Sequence, residues 1–394
     1  MGTLVYHLLR AFLWLVTRVF FRTVEVSGLE HIPPRGAVIF CGNHPNSLLD
    51  PVLITTSCPR RVRFAAKDTL FESRFLRPFL LALGAVPVRR RQDHMDATVL
   101  NNERAFEVLH EVLRGEGAFG IFPEGISHSL PALAPLKTGA ARIALAAAAS
   151  GIEVHLVPCG LSYHHRTKLR GRVLVHFGAP LLIDKGRLEV FRSDPHAAAR
   201  ALTRDLDGAL RAVTINAPDF ETMRVLDGVR SLYRPPGHAL TLVEQAEISR
   251  RFLDHYARLA QRDDVAELYR QIDAYLRRLD TFGLRDEEVG RPLQRRVWLR
   301  KMLAQLFLLT VLLPLALPGV LLHVPILLLA VVAGDKLTRR EDVIATTKVG
   351  VATLLTLTAH GLAGLVAFAL LKGPLGYVVP PLLVVGLSAS GYAT

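Results

Sequence analysis

Ala37-Val38-Ile39-Phe40-Cys41-Gly42-Asn43-His44-Pro45-Asn46-Ser47-Leu48-Leu49-Asp50-Pro51 begins as an unbroken apolar run and ends as a polar turn opening into a helix. The short apolar run Ala37–Cys41 reads as a strand. Strands of that kind belong to parallel sheets with helices on both sides. Beyond Gly42, Pro45 stiffens a turn, and Asn46 or Ser47 is suited to cap the next helix.

Working outward, the same alternation continues. Arg63–Ala66, Ala85–Val88, Ala118–Phe122, His155–Leu161 and Arg172–Phe177 read as strands. Phe75–Leu83, Ala97–Leu113 and Thr138–Ala149 read as helices. Residues 23–186 are therefore expected to be an α/β domain, a mostly parallel sheet flanked by helices. Residues 187–300 are expected to form a helical region, charged and amphipathic over Pro195–Val213, Asp219–Tyr233, Leu240–Arg262 and Val265–Asp280.

From residue 301 to 394 the polarity collapses into apolar, membrane-embedded helices. Met302–Ala333 has no charged residue in 32 positions, Asp335–Asp342 is a charged loop, and Val343–Leu371 is apolar apart from Lys348. A third apolar stretch, Leu375–Tyr392, lies just before the last residues, which suggests a truncated chain. A membrane span needs about 20 residues, and Pro314, Pro318 and Pro325 interrupt the first stretch. Arg295, Arg296, Arg300 and Lys301 at one end and Lys336, Arg339 and Arg340 at the other both favour the cytoplasmic side. The expectation is a re-entrant or two-helix hairpin bent near Pro314–Pro318, with both ends on one face. Residues 1–22 read as an amphipathic, membrane-associated helix, with His7, Arg10 and Arg18 toward one face and Leu8, Phe12, Leu15 and Val19 toward another.

The composition excludes several classes. The 394 residues carry 48 Lys+Arg against 35 Asp+Glu, a net charge of +13, yet half are hydrophobic and the mean hydropathy is +0.29. Disorder is excluded by the apolar content, and a disulfide scaffold by only three cysteines. The charge is spread along the chain without a dense basic run, which excludes a nucleic-acid arm. A basic, apolar chain points to an anionic membrane surface or to acidic substrates.

Four blocks carry candidate chemistry. His44 and Asp50 suit a base with its orienting partner. Six positions on a straight helix turn about 600°, so the two meet only if the chain bends between them; helix capping is the plainer role. In the second block, Gly84-Ala85-Val86-Pro87-Val88-Arg89-Arg90-Arg91, guanidiniums suit phosphate, or form a solvated strand end. In the third, Phe122-Pro123-Glu124-Gly125-Ile126-Ser127-His128, an acid stands beside a glycine that allows close approach of a ligand, or the segment is a strand-to-turn junction. Lys137 follows a Pro-rich loop and opens a helix of small residues, a setting that suits phosphate. The fourth, Val157-Pro158-Cys159-Gly160-Leu161-Ser162-Tyr163, is strand-like. Cys159 has no supporting feature as a nucleophile, and Ser162 is not in a nucleophile elbow. His164 and His165 have no clustered Cys or acid, so no metal site is expected.

In this order the blocks resemble the four motifs of the glycerolipid acyltransferases, the lysophosphatidate and glycerol-3-phosphate acyltransferases. Gly84 to Arg89, Phe122 to Gly125 and Val157-Pro158 match. The first block departs, with five residues rather than four between His44 and Asp50. FPEGISHSLPALAPLKTGAARIAL, LSYHHRTKLRGRVLVHFG, VRSLYRPP and the apolar C-terminal region are similar to the yeast-type glycerol-3-phosphate/dihydroxyacetone-phosphate acyltransferases and their bacterial relatives.

The resemblance implies a membrane-bound O-acyltransferase of phospholipid biosynthesis. His44 would be the general base and Asp50 its partner. Arg89 would bind the acceptor phosphate, and Glu124 and Gly125 would shape the acceptor site, with Ser127, His128 and Lys137 as further members. Acyl-CoA or acyl-carrier protein would be co-substrate, with no cofactor. A phosphorylated glycerol-type acceptor and membrane lipids would be the partners. The Arg- and Ala-rich composition suits a GC-rich bacterial genome, and the expected location is a bacterial inner membrane with the active site on the cytoplasmic side. Two other readings stand beside it: acylation of 1-acylglycerol-3-phosphate, and a non-catalytic lipid-binding or membrane-shaping protein. The joint presence of His44, Asp50, Arg89 and Glu124 argues against the latter.

Overall fold

The computed structural model describes residues 2–89, 102–232, 240–259, 262–282, 289, 295–338 and 340–371. Arg90, Arg91, the first residues of the helix expected over Ala97–Leu113, Tyr233 and the stretch Leu375–Tyr392 lie outside the described residues. The chain divides into two compact units, Met1–Leu276 and Arg277–Thr394.

The first unit is built on one sheet. Its strands are β1 (Phe21–Ser27), β2 (Ala37–Gly42), β3 (Val62–Lys67), β4 (Val86–Val88), β5 (Ala118–Ile121), β6 (Val154–His164), β7 (Gly171–Phe177) and the short β8 (Leu181–Leu182). Their order is β1-β7-β6-β2-β5-β3-β4, with β8 on β6. Every neighbouring pair along that order is parallel except β6–β7, and β8 is also antiparallel to β6. The expected α/β class and mostly parallel sheet are therefore what the chain forms. β1 was not expected: its alternation Phe21, Val24, Val26 is broken by polar residues, and it is held by parallel pairing with the distant β7.

All six residues of β2 are buried, as a strand covered on both faces must be. Ala37, Ile39 and Cys41 face one layer of helices: α4 (Glu103–Arg114), α5 (Gly139–Ala149) and α7 (Pro195–Val213). The alanines of α5 let that helix approach closely, while Leu202, Leu206 and Leu210 of α7 fill the same core. Gly160 belongs to this contact, since a Cβ there would meet the Val213 carbonyl oxygen at 1.9 Å. The boundary expected at residue 186/187 is therefore not a packing boundary. α6 (Lys185–Ser193) and α7 complete the sheet's own core, and the unit runs on through α8 (Phe220–Leu232) and α9 (Leu242–Leu259) into α10 (Asp263–Phe282).

On the unit's N-terminal side lie α1 (Gly2–Phe20), α2 (Leu49–Ser57) and α3 (Leu76–Ala82). α1 packs with Tyr6, Thr17 and Phe20 inward, and Arg10 donates to the carbonyls of Thr55 (3.1 Å) and Cys58 (2.6 Å). Arg10 thus satisfies the open C-terminal end of α2. This corrects the expectation that it belongs to a free basic face. The outward face is Leu4, Leu8, Leu15 and Val19, all exposed. Each would leave about 1.5–3 kcal/mol of burial unrealised in water.

In the second unit α11 (Arg295–Leu337) runs unbroken through Pro314, Pro318 and Pro325. The expected bend near Pro314–Pro318 is therefore corrected. Each proline costs one ladder hydrogen bond, but unwinding in an apolar surrounding would strand several N–H and C=O groups without water. The chain reverses instead at residues 338–340, inside the charged loop. α12 (Glu341–Leu370) then returns antiparallel: Thr338 bonds Thr347, Lys348 pairs with Asp335 at 2.9 Å, and His323 faces His360. The two ends of α11 are about 65 Å apart at 1.5 Å per residue.

Candidate active site

The carboxyl ends of parallel strands are where α/β sheets place their ligands, and β2 and β5 deliver His44 and Glu124 there. As the chain leaves β2, the Asn43 amide pairs with the backbone of Leu161 on β6. It accepts from the Leu161 N–H (2.7 Å) and donates to its carbonyl (3.1 Å). His44 follows, buried to 8% exposure, its ring stacked on Phe122 with centroids 4.0 Å apart and planes 8° from parallel. Phe122 in turn stacks on Phe64.

The five intervening residues do not keep His44 from Asp50. Ser47 takes a left-handed conformation (φ 47°), and the tight turn it makes brings Asp50, in the first turn of α2, back under the imidazole. His44 Nδ1 lies 2.7 Å from Asp50 Oδ2. Asn46 and Ser47 do not cap α2 with their side chains. The Asn46 backbone N–H donates to Asp50 Oδ2 instead (2.7 Å), and the Tyr163 hydroxyl donates to Oδ1 (2.6 Å). Burial pushes the Asp50 carboxyl up, while the His44, Tyr163 and Asn46 donors pull the other way. Burial and Asp50 push the Tyr163 phenol well up, so it remains a donor. With Nδ1 committed to Asp50, the Nε2 lone pair is the one available to take a proton.

Glu124 is buried and both its oxygens are taken by this chain's own donors. Oε1 accepts from the His44 N–H (2.8 Å), and Oε2 from the Ala134 N–H (2.7 Å) and from His128 Nε2. The tautomer of His128 follows from its other nitrogen, which accepts from the Leu130 N–H. The His128 N–H also donates to the His44 carbonyl (3.1 Å). Glu124 and His128 therefore staple the His44 loop to the 122–137 loop. Gly125 sits at φ 72°, and a Cβ there would meet Lys137 Nζ at 2.6 Å, so the glycine lets the lysine lie across it. Ser127 is half-buried. A small cleft of 40 Å³ opens over His44, Glu124 and His128, closed on its far side by Leu133 and by Thr214–Asn216.

Arg89 stands apart. It directly follows β4, and β5 and β3 lie between β2 and β4, which sets it about 14 Å along the sheet at roughly 4.8 Å per strand. Its side chain is 58% exposed and leans toward Asp68 (3.7 Å), while Asn102 holds its backbone by two hydrogen bonds. The three cysteines are buried and free, and burial pushes Cys58 up to about 11 and Cys41 and Cys159 up as well. Among the described residues no three His, Cys, Asp or Glu side chains converge to hold a metal ion.

Residue-by-residue reading missed Asn43, Tyr163 and the Thr214–Asn216 segment. No spacing rule links Asp50 to Tyr163, which is 113 positions away. The Tyr163→Phe variant is expected to retain the fold and lose roughly tenfold in kcat, about the worth of one hydrogen bond to a charged group. Without that donor the carboxylate holds the dyad's proton more tightly, so the acid limb of the kcat/KM profile moves to higher pH. An unmoved limb would show that Tyr163 only packs.

A family model described as Acyltransferase matches residues 23–162, and one described as Glycerol-3-phosphate acyltransferase 2 C-terminal domain matches residues 225–372. The chain is 26% identical to glycerol-3-phosphate O-acyltransferase 2 of Saccharomyces cerevisiae, over 81% of this chain and 57% of that protein. It is 31% identical to glycerol-3-phosphate O-acyltransferase 1 of the same yeast, over 59% of this chain and 32% of that one. The chain thus spans a third to somewhat over half of these relatives' length. A solved 1-acyl-sn-glycerophosphate acyltransferase of Thermotoga maritima superposes with TM-score 0.39 at 20% identity, covering 54% of this chain and 79% of that one. The resemblance drawn from the four blocks is the one these comparisons find.

Proposed function

We propose that this chain, which carries an acyltransferase domain over residues 23–162 and a match to a glycerol-3-phosphate acyltransferase C-terminal domain over residues 225–372, transfers a fatty acyl group from a thioester to glycerol-3-phosphate or dihydroxyacetone phosphate. The observation that carries the reading is the buried His44–Asp50 pair at the carboxyl edge of the sheet. The acceptor hydroxyl gives its proton to His44 Nε2 while its oxygen bonds to the thioester carbonyl carbon. Asp50 holds the imidazole in the required tautomer and faces the imidazolium that forms. The C–S bond then breaks, and the leaving thiolate takes the proton back from His44, giving an ester and a free thiol. The chemistry calls for no covalent acyl-enzyme and no cofactor. Acyl-CoA or acyl-carrier protein serves as donor.

The acceptor class rests on the yeast relatives' names and on the C-terminal match. Arg89, exposed at the end of β4, reaches toward the acceptor phosphate only by leaving Asp68.

Membrane attachment follows from three helical segments long and apolar enough to cross a bilayer, Thr3–Phe20, Gly319–Leu337 and Glu341–Leu370. Exposed Phe75 and Phe79 at α3 add to the apolar face of α1. The relatives matched over most of the chain are yeast proteins, which lends no support to a bacterial inner membrane.

Thiol release from an acyl thioester, measured with a panel of acceptors, tests the reading. Release with glycerol-3-phosphate or dihydroxyacetone phosphate is expected. Release with 1-acylglycerol-3-phosphate alone would move the chain to the second acylation step, and none with any acceptor would favour lipid binding without catalysis.

A further inference from the structure

The far end of β6 gathers positive charge that the acyl-transfer chemistry does not use. His164, the last residue of β6, pairs across the antiparallel junction with Arg172 of β7. Arg230 of α8 lies close enough to His164, His165 and Arg172 for their charges to act on one another. Arg230 is only 14% exposed, and it pairs with Asp227 at 2.8 Å. Arg172 is exposed, and among the described residues no carboxylate pairs with it. Lys168 adds a further charge close to His165. Three cations thus face one carboxylate, a local excess of two positive charges.

The cluster is held in place. The loop from His165 to Arg170 is closed by the Lys168 N–H on the His165 carbonyl (3.0 Å) and anchored by the Arg170 N–H on the Phe20 carbonyl (2.7 Å). His165 (φ 60°) and Arg170 (φ 62°) both take left-handed backbone, which non-glycine residues adopt only when their surroundings enforce it. Burial, then Arg230 and Arg172, push His164 down to about 3, so it is a neutral imidazole and a hydrogen-bond donor rather than another charge. Arg230, at low exposure and with Arg172 and Lys168 beside it, carries a repulsion that Asp227 alone does not balance and that a bound anion would relieve. Two guanidinium forks with flanking imidazoles match the several oxygens of a phosphate better than the two of a carboxylate.

We propose that His164, His165, Lys168, Arg172 and Arg230 form a phosphate-binding site at the end of β6, behind the His44–Asp50 pair. The strand and loop that carry it also brace that pair: Tyr163, the residue before His164, donates to Asp50 from the opposite face of the strand, and the Asn46 amide donates to the Arg166 carbonyl. The site binds a phosphate group, whether of a small phosphorylated substrate or of a lipid headgroup. The substrate source rests on the acyl-transfer reading, but the site itself does not.

The test uses the full chain in uncharged detergent, with His44→Ala present so that nothing turns over. Inorganic phosphate and glycerol-3-phosphate are titrated while the melting temperature is followed. Saturable stabilisation is expected, and adding Arg172→Gln, an exposed change that leaves the Arg230–Asp227 pair intact, should weaken the apparent affinity at least tenfold. The same Arg172→Gln change in the active chain then identifies the source. A raised KM for the acceptor assigns the site to the acceptor phosphate, a raised KM for the thioester assigns it to a phosphorylated donor, and a loss of binding to phosphatidylglycerol vesicles relative to the unsubstituted chain, with binding to phosphatidylcholine vesicles unchanged, assigns it to a headgroup. Equal phosphate affinity with and without Arg172→Gln, and again with Arg172→Gln/Arg230→Gln, would overturn the proposal whether or not the chain transfers acyl groups.

Discussion

Replacing His44 by alanine is expected to lower acyl transfer by about 10²–10⁴-fold, the usual worth of a positioned general base, with KM for both substrates nearly unchanged. The side chain removed is the one that receives the hydroxyl proton, and nothing beside it can take over. Its neighbours are the Phe122 ring, an Asp50 carboxyl already surrounded by donors, and a His128 ring whose two nitrogens are engaged by Glu124 and the Leu130 N–H. The alanine chain should fold, because the backbone bonds of residue 44 to Glu124 and His128 do not depend on the imidazole. Thiol release read together with a melting curve checks both parts. Full activity in a folded His44→Ala chain would refute the assignment.

The second large effect is expected at Glu124, for a different reason. Both of its oxygens accept from protein donors, three in all, and one of those donors is the backbone N–H of His44 itself. In Glu124→Gln one oxygen becomes an NH₂ that faces a donor, on a side chain that is itself buried. An unsatisfied buried group of that kind costs about 1–3 kcal/mol, and the loop that carries His44 shifts to relieve it. The expected result is a fall in kcat of roughly 10²-fold with little change in KM for the acceptor, since small misplacements of a catalytic group cost about that much. A carboxylate that bound the acceptor directly would instead raise its KM. Initial-rate kinetics at varied acceptor concentration separate the two.

Much of the site was legible because its parts lie near strand ends that the apolar pattern marks clearly. β2, β5 and β6 each show as short apolar runs, and the residues that follow β2 and β5 are the candidates. The link between them was not legible. Glu124 reads as a residue beside a glycine, with no sign that its carboxylate holds a backbone N–H 80 positions earlier. Arg89 reads as one of the group, yet pairing order puts two strands between its own and that of His44.

Period and composition, which depend on neighbours a few residues away, determined the α/β alternation, the amphipathic first helix and the apolar C-terminal quarter of the molecule. Contacts between distant segments decided the rest. The Ser47 turn and the parallel packing of β2 beside β6 close His44 on Asp50 and bring Tyr163 to it. The open end of α2 claims Arg10, and α7 joins the sheet's core. The second unit turns at 338–340, where the loop's charges can meet water, rather than at its prolines. In each case the cause is a polar group or apolar face that must find its partner in space, and the order of residues along the chain does not say which partner that is.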